Sequence, residues 1–420
     1  MTKKDFKRYM CQGLGRCYTH LRDTDDKEKY KDIVLWGCLH SLSYDLQVEG
    51  TRAPYVYELT QLFDDDEYFI VPILEKFKKL LNFPQYDQLS HLSNILSKFA
   101  EKGSREALDA LLEQREKYLS VLIEKRTFKK YDYIRDYFEK ISIAIMPLVE
   151  ISDLLAGFGR LFIENSHYNA DEFDWFCICL ENHYGKSRLA SLLKKESKEN
   201  NLISAFRDSY IKEISSKNKT VRRKRPPVDI EELADKLISE PDLDEKAEIL
   251  FRLSLKKSVP TRIHKDIIEY SKSEHYELSE SAIYTLIYCQ SDAVHDFALS
   301  ILDSDQKIHA IEMLLMNYRP EDDERLFSEI QNYRIDYDDA YNWHSVTSKI
   351  VTVYFSGGVK LPRKYIMYVY NNTLCSYCRA NAVESLSKRR MLTEEMAEEC
   401  RYDSNDDIVK YINRYYKKRR

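Results

Sequence analysis

Apolar residues along the chain recur in steps of three and four almost everywhere, and strict alternation is rare. Between Leu89 and Leu122 the set Leu92, Ile95, Leu96 and Phe99 is followed by Ala107, Leu108, Leu111 and Leu112. Such spacing lines one face of a helix and predicts two helices here. Lys102, Gly103 and Ser104 interrupt the pattern. Glycine ends a helix readily because it adopts left-handed backbone, and serine caps the next one with its hydroxyl, so the break predicts a helical hairpin.

The segment 217–227, which contains NKTVRRKRPP, has no apolar stripe and closes on two prolines. It reads as a basic linker, because proline disfavours helix in the residue before it. The chain thus divides into a helical domain over 1–216, this linker, and a second domain over 228–420. In the second domain a small residue stands four positions before a large apolar one in Ala247–Phe251, Ala282–Leu286, Ala310–Leu314 and Ala382–Leu386, with a less regular unit around Val346 to Phe355. Alanine lets a paired helix approach and the larger residue fills the same face, so each hairpin needs neighbours to bury it.

The run Cys378-Arg379-Ala380-Asn381-Ala382-Val383-Glu384-Ser385-Leu386 resembles the HEAT repeat, with arginine, alanine three later and leucine four after that. Lys307, Ala310 and Leu314 repeat it with lysine for arginine, and Ser279, Ala282 and Leu286 keep only the apolar pair. The resemblance covers roughly residues 228 to 420 and implies an all-α solenoid of stacked antiparallel helix pairs, a HEAT-like superhelix. It implies a binding surface more often than a catalyst. The final helix, with Asp406 and Asp407 in its first turn and Lys417 to Arg420 at its end, complements the helix dipole and reads as a cap of the array.

Composition agrees with long helices and short loops, since the 420 residues include only 10 Gly and 10 Pro. A 43% apolar fraction supplies a core, and a net charge of -5 argues against a surface that coats nucleic acid throughout. The 32 tyrosines are expected at the boundary between core and water, hydroxyls outward. Lys3, Lys4, Asp5, Lys7 and Arg8 keep the start of the chain polar, unlike a secretory signal. The most apolar stretch, Ile141 to Leu155, is broken by Pro147, Glu150 and Asp153. A cytoplasmic protein with no membrane segment is therefore expected, its nine cysteines free thiols.

Motifs for catalysis are missing. Gly185-Lys186-Ser187 lacks the earlier glycine of a phosphate loop, because Leu180 stands there. Gly13-x-Gly15 and Gly157-x-Gly159 lack the third glycine of a dinucleotide fingerprint and read as tight helix contacts or caps. No His-Glu dipeptide exists for the two-iron sites of some HEAT-like enzymes, and no Gly-x-Ser-x-Gly is present. The acidity of the chain sets it apart from the DNA glycosylases of similar architecture. No catalytic residue, cofactor or metal is expected, and the chain reads as a non-enzymatic scaffold for another protein or peptide.

Three features bear on other readings. A helix from Tyr30 to Leu46 would place Trp36, His40 and Tyr44 on one face, with Asp45, Glu49 and Arg52 beside it, which makes either a ligand pocket or plain helix packing. Arg222, Arg223, Lys224 and Arg225, and Arg414, Lys417 and Lys418 with Tyr415 and Tyr416, form basic clusters that suit either nucleic acid or solvated chain segments. Cys375-x-x-Cys378 with Cys400, and Cys11, Cys17, His20, Cys38 and His40, offer soft ligands, but the first set lacks a fourth unless the fold brings one from elsewhere. Buried structural cysteines are the expectation for both sets.

Overall fold

The computed structural model describes residues 1–80, 86–124, 132–217, 229–332, 340–356 and 358–417. Among these the architecture is all-α, with no strand, and helices pack in neighbouring pairs. The local signals in the sequence set the element ends. The predicted hairpin forms as Tyr86–Glu101 and Arg105–Glu124. Between them Gly103 takes a positive φ of 112°, and the Ser104 hydroxyl accepts the Ala107 N–H at 3.3 Å. Asp242 caps Leu243–Lys256 by accepting from the N–H groups of Asp244 and Glu245 at 2.9 and 3.0 Å. No helix among the described residues is long and apolar enough to cross a membrane.

The chain forms two compact units, one comprising Met1–Arg223 with Glu395–Arg420 and the other Lys224–Glu394. In the first, Lys31–Cys38, Ala53–Thr60, Tyr86–Glu101, Asp132–Ile145 and Asp174–Tyr184 pack successively in one row. Asp66–Lys79, Arg105–Glu124, Ile151–Glu164 and Asn201–Lys217 form the row behind. Leu, Ile and aromatic side chains fill the space between rows. Phe158 stacks on Phe176 with centroids 4.0 Å apart and meets Phe138, Phe173 and Phe206 edge-on or tilted. Each such ring, fully buried, contributes roughly 1.5–3 kcal/mol.

The last segment of the chain packs on the first. Tyr18 stacks on Tyr402 at 4.0 Å, Arg16 pairs with Glu399 at 3.0 Å, and the Ser404 N–H donates to the Gly13 carbonyl at 2.9 Å. The described part of the final helix, Asp406–Lys417, therefore belongs with the first helices, whereas the sequence pattern grouped it with 228–394. The reason is steric and chemical at once. Gly15 has no side chain, and a Cβ there would stand 1.9 Å from the Glu399 carbonyl oxygen.

In the second unit Leu243–Lys256, Tyr276–Leu286, Lys307–Met316, Ala340–Ser356 and Ser376–Lys388 form the successive row. His264–Tyr270, Asp292–Ile301, Asp323–Asn332 and Arg363–Asn372 pair with them. Ala247, Ala282, Ala310 and Ala382 are buried, as are Leu286, Leu314 and Leu386. Phe251 departs from the expected pattern and is 52% exposed. The inward step from Ala247 in that helix is three residues, to the buried Leu250. Several tyrosines also differ from expectation. Tyr30, Tyr137, Tyr365 and Tyr370 are fully buried, and Tyr30 and Tyr365 bond their hydroxyls to Met1 O at 2.5 Å and Asp323 Oδ1 at 3.1 Å.

Candidate functional site

The predicted helix over Tyr30 to Leu46 stops at Cys38, so Tyr44 does not share a helical face with Trp36 and His40. Trp36 and His40 still stack, with centroids 4.6 Å apart, and His40 Nδ1 lies 2.7 Å from the Trp36 carbonyl. The Lys7 ammonium covers the Trp36 ring at 3.6 Å. Beyond the helix end, the Glu49 carboxylate accepts from the N–H groups of Tyr44 and Asp45 at 2.6 and 3.3 Å. That bond competes with a continuing helix, because the two amides no longer need carbonyls four residues back.

Arg52 Nη2 donates to both carboxylate oxygens of Glu49, at 2.9 and 3.0 Å, in an ion pair whose Glu49 and Arg52 side chains are only 2% and 3% exposed. The same guanidinium donates to the Cys11 carbonyl at the end of the helix Lys3–Gln12. The four residues Tyr44, Asp45, Glu49 and Arg52 thus form one clasp between the first helix and a loop, while Trp36 and His40 form a separate stack. His40 lines a cleft of about 430 Å³ with Ser41, Tyr86, Asp87 and Gln88. His91, not singled out by the pattern, is fully buried beside this clasp, with Nε2 2.9 Å from the Gly37 carbonyl. Burial lowers its pKa to about 4, so it is neutral at physiological pH.

Of the basic clusters, Arg222, Arg223, Lys224 and Arg225 lie outside the described residues, as do Lys418 and the side chain of Lys417. Arg414 is exposed on the helix Asp406–Lys417. The glycine pairs serve the backbone. Gly13 takes a left-handed φ of 75° to end the first helix, and a Cβ on Gly159 would meet the Leu202 carbonyl oxygen at 1.8 Å.

The two cysteine sets separate. Cys17 and Cys38 are fully buried, which pushes both thiols up, and the Cys17 thiol faces the Phe6 carbonyl at 3.5 Å. In the second unit, His344, Cys375 and Cys378 bring their ligand atoms within 4.8 Å of one another. Cys375 is the N-cap of Ser376–Lys388 and accepts the Cys378 N–H at 3.5 Å. The hydrogen bond from the Cys378 thiol, helped by His344, holds Cys375 below the usual thiol range, and the same bond raises Cys378. Cys400 lies in the other unit, buried.

No family model matches the chain, and no curated protein matches it. Among solved structures, the crystal structure of an engineered protein aligns over 99% of this chain and 98% of that chain, at 13% identity. The TM-score of 0.25 is too low for that likeness to carry an argument.

Proposed function

We propose that the chain is a non-enzymatic α-solenoid scaffold that holds another protein, through a basic amphipathic segment, on the second unit. The observation that carries this reading is an apolar surface on two packed helices. Leu243–Lys256 and Tyr276–Leu286 start side by side, with Asp244 Oδ1 3.3 Å from His275 Nε2. Further along, the Thr285 hydroxyl donates to the Leu250 carbonyl at 3.0 Å. These helices expose Leu243 at 42%, Phe251 at 52%, Leu255 at 64%, Tyr276 at 67% and Tyr284 at 49%. Exposed large apolar groups on neighbouring elements are a mark of interaction surfaces, and aromatic residues anchor them.

Charge selects the partner. Asp244, Glu245 and Glu277 are exposed in the first turns of these helices and Lys256 in the last turn of one, so a segment with apolar residues on one face and lysine or arginine only at the edge that meets the first turns complements them. Crosslinking in the protein's own cells, followed by mass spectrometry, tests the reading. Recovered crosslinks should fall on these two helices, and the Phe251→Asp, Leu255→Asp variant should lose the partner while keeping its helical circular dichroism. Turnover of a metabolite with no partner recovered would overturn the scaffold reading. Salt-sensitive binding to nucleic acid, abolished by changing Arg222 to Arg225 and Arg414 to Ser, would replace it with nucleic-acid binding.

A further inference from the structure

We propose that His344, Cys375 and Cys378 form a binding site for a thiophilic divalent cation, zinc by preference, that ties the helix Ser376–Lys388 to the helix Ala340–Ser356. The first support is geometric. Cys-x-x-Cys at a helix start puts the N-cap and third helical residues on one side, and the observed 3.5 Å contact of the Cys375 thiol with the Cys378 N–H fixes that arrangement. The adjacent helix Ala340–Ser356 packs on this one and delivers His344. A tetrahedral zinc with bonds of about 2.3 Å to sulfur and about 2.0 Å to nitrogen needs ligand atoms roughly 3.5–3.8 Å apart. Three atoms already within 4.8 Å reach that spacing by small side-chain rotations.

The second support is the choice of donors. Two thiolates and a neutral imidazole balance a divalent cation to zero net charge. That matters here, because Cys375 and Cys378 are 6% and 5% exposed and an unbalanced charge at that depth is costly. Both sulfurs bind as thiolates and the imidazole binds as the neutral ring. Sulfur with imidazole selects zinc over magnesium or calcium, which prefer oxygen. Thr347, one turn beyond His344 and fully buried, donates its hydroxyl to the His344 carbonyl at 3.0 Å, which holds the turn that carries the imidazole. Asp244, His275 and Glu277 also converge, but the two carboxylates are 79% and 66% exposed and His275 caps its own helix.

Three protein ligands are the number at which zinc sites commonly keep one position for water or a further ligand. The site is independent of the partner surface proposed above and shares no residue with it.

The test uses the full chain purified without added metal. Elemental analysis should find about one zinc per chain, and replacement by cobalt(II) should give sulfur-to-cobalt charge transfer in the near ultraviolet with strong visible bands of a tetrahedral ion. Cys375→Ser with Cys378→Ser should abolish both, and His344→Ala should weaken cobalt uptake and shift the visible bands. If the double serine variant does not fold, the cobalt spectrum of the unaltered chain still decides. A metal-free chain that takes up no cobalt with both thiols reduced would overturn the proposal. So would isolation of a Cys375–Cys378 disulfide that, once reduced, binds no metal, which would make the pair a redox couple instead.

Discussion

The clasp around Arg52 and the cluster around Cys375 are both buried polar groups at the start of a helix or beside one, yet they differ in how their charges are met. Arg52 finds a carboxylate and a carbonyl, donors against acceptors, all from the chain itself. Cys375, Cys378 and His344 face one another, and all three are ligands of the same kind. A set of complementary groups meets its charges within the fold, whereas a set of like donors to metal converges on a point between them. The first arrangement explains why the Trp36 to Arg52 stretch, dense in functional residue types, holds a loop in place.

The comparison is broken most forcefully at Arg52. Arg52→Ala leaves Glu49 buried without its cation and should cost about 3–5 kcal/mol in chemical denaturation. That loss should be the same with and without a metal chelator, while the unaltered chain should lose stability in chelator through the cysteine cluster. A chelator-dependent Arg52→Ala penalty would mean that the two regions are not independent.

A smaller effect comes from pH. The folded pKa of His91, about 4, lies below its ordinary 6.5, so the unfolded chain binds more protons between those values. The stability held by neutral His91 is therefore complete above pH 6.5 and is lost as pH falls toward 4, by up to about 3 kcal/mol. His91→Gln, which keeps a donor for the Gly37 carbonyl, should flatten that part of the stability curve measured by denaturation at several pH values. An unchanged slope would place the acid sensitivity elsewhere.

The smallest effect is a control that touches neither polar set. Gly159→Ala sets a methyl group against the Leu202 backbone where Ile151–Glu164 crosses Asn201–Lys217. The helices must part slightly, at about 1–3 kcal/mol, and thermal unfolding should register the loss without any change in metal content.

Much of the fold was legible because its signals are local. Gly103 and Ser104 announce a helix end and a helix start within two residues, and Gly13 and Gly159 were readable as backbone devices once no dinucleotide fingerprint fitted them. The end of the helix at Cys38 was not legible, since Trp36, His40 and Tyr44 keep helical spacing while Glu49 draws the Tyr44 and Asp45 amides out of the helix. Phe251 was misjudged for a similar reason. Spacing alone cannot tell whether a helix turns its third or its fourth residue inward. His344 gave no signal beside the cysteines, because the packing of Ala340–Ser356 on Ser376–Lys388 is what brings it there.

The pairing of Arg16 with Glu399 spans 383 positions, and it has a consequence for the growing chain. At about 5–20 residues per second on the ribosome, the partner of Arg16 emerges roughly 20–80 s after it. During that interval the whole stretch that forms the second unit is made, free to fold before the first unit closes. Until then Tyr18 and the backbone at Gly15 lack the segment that covers them in the folded chain.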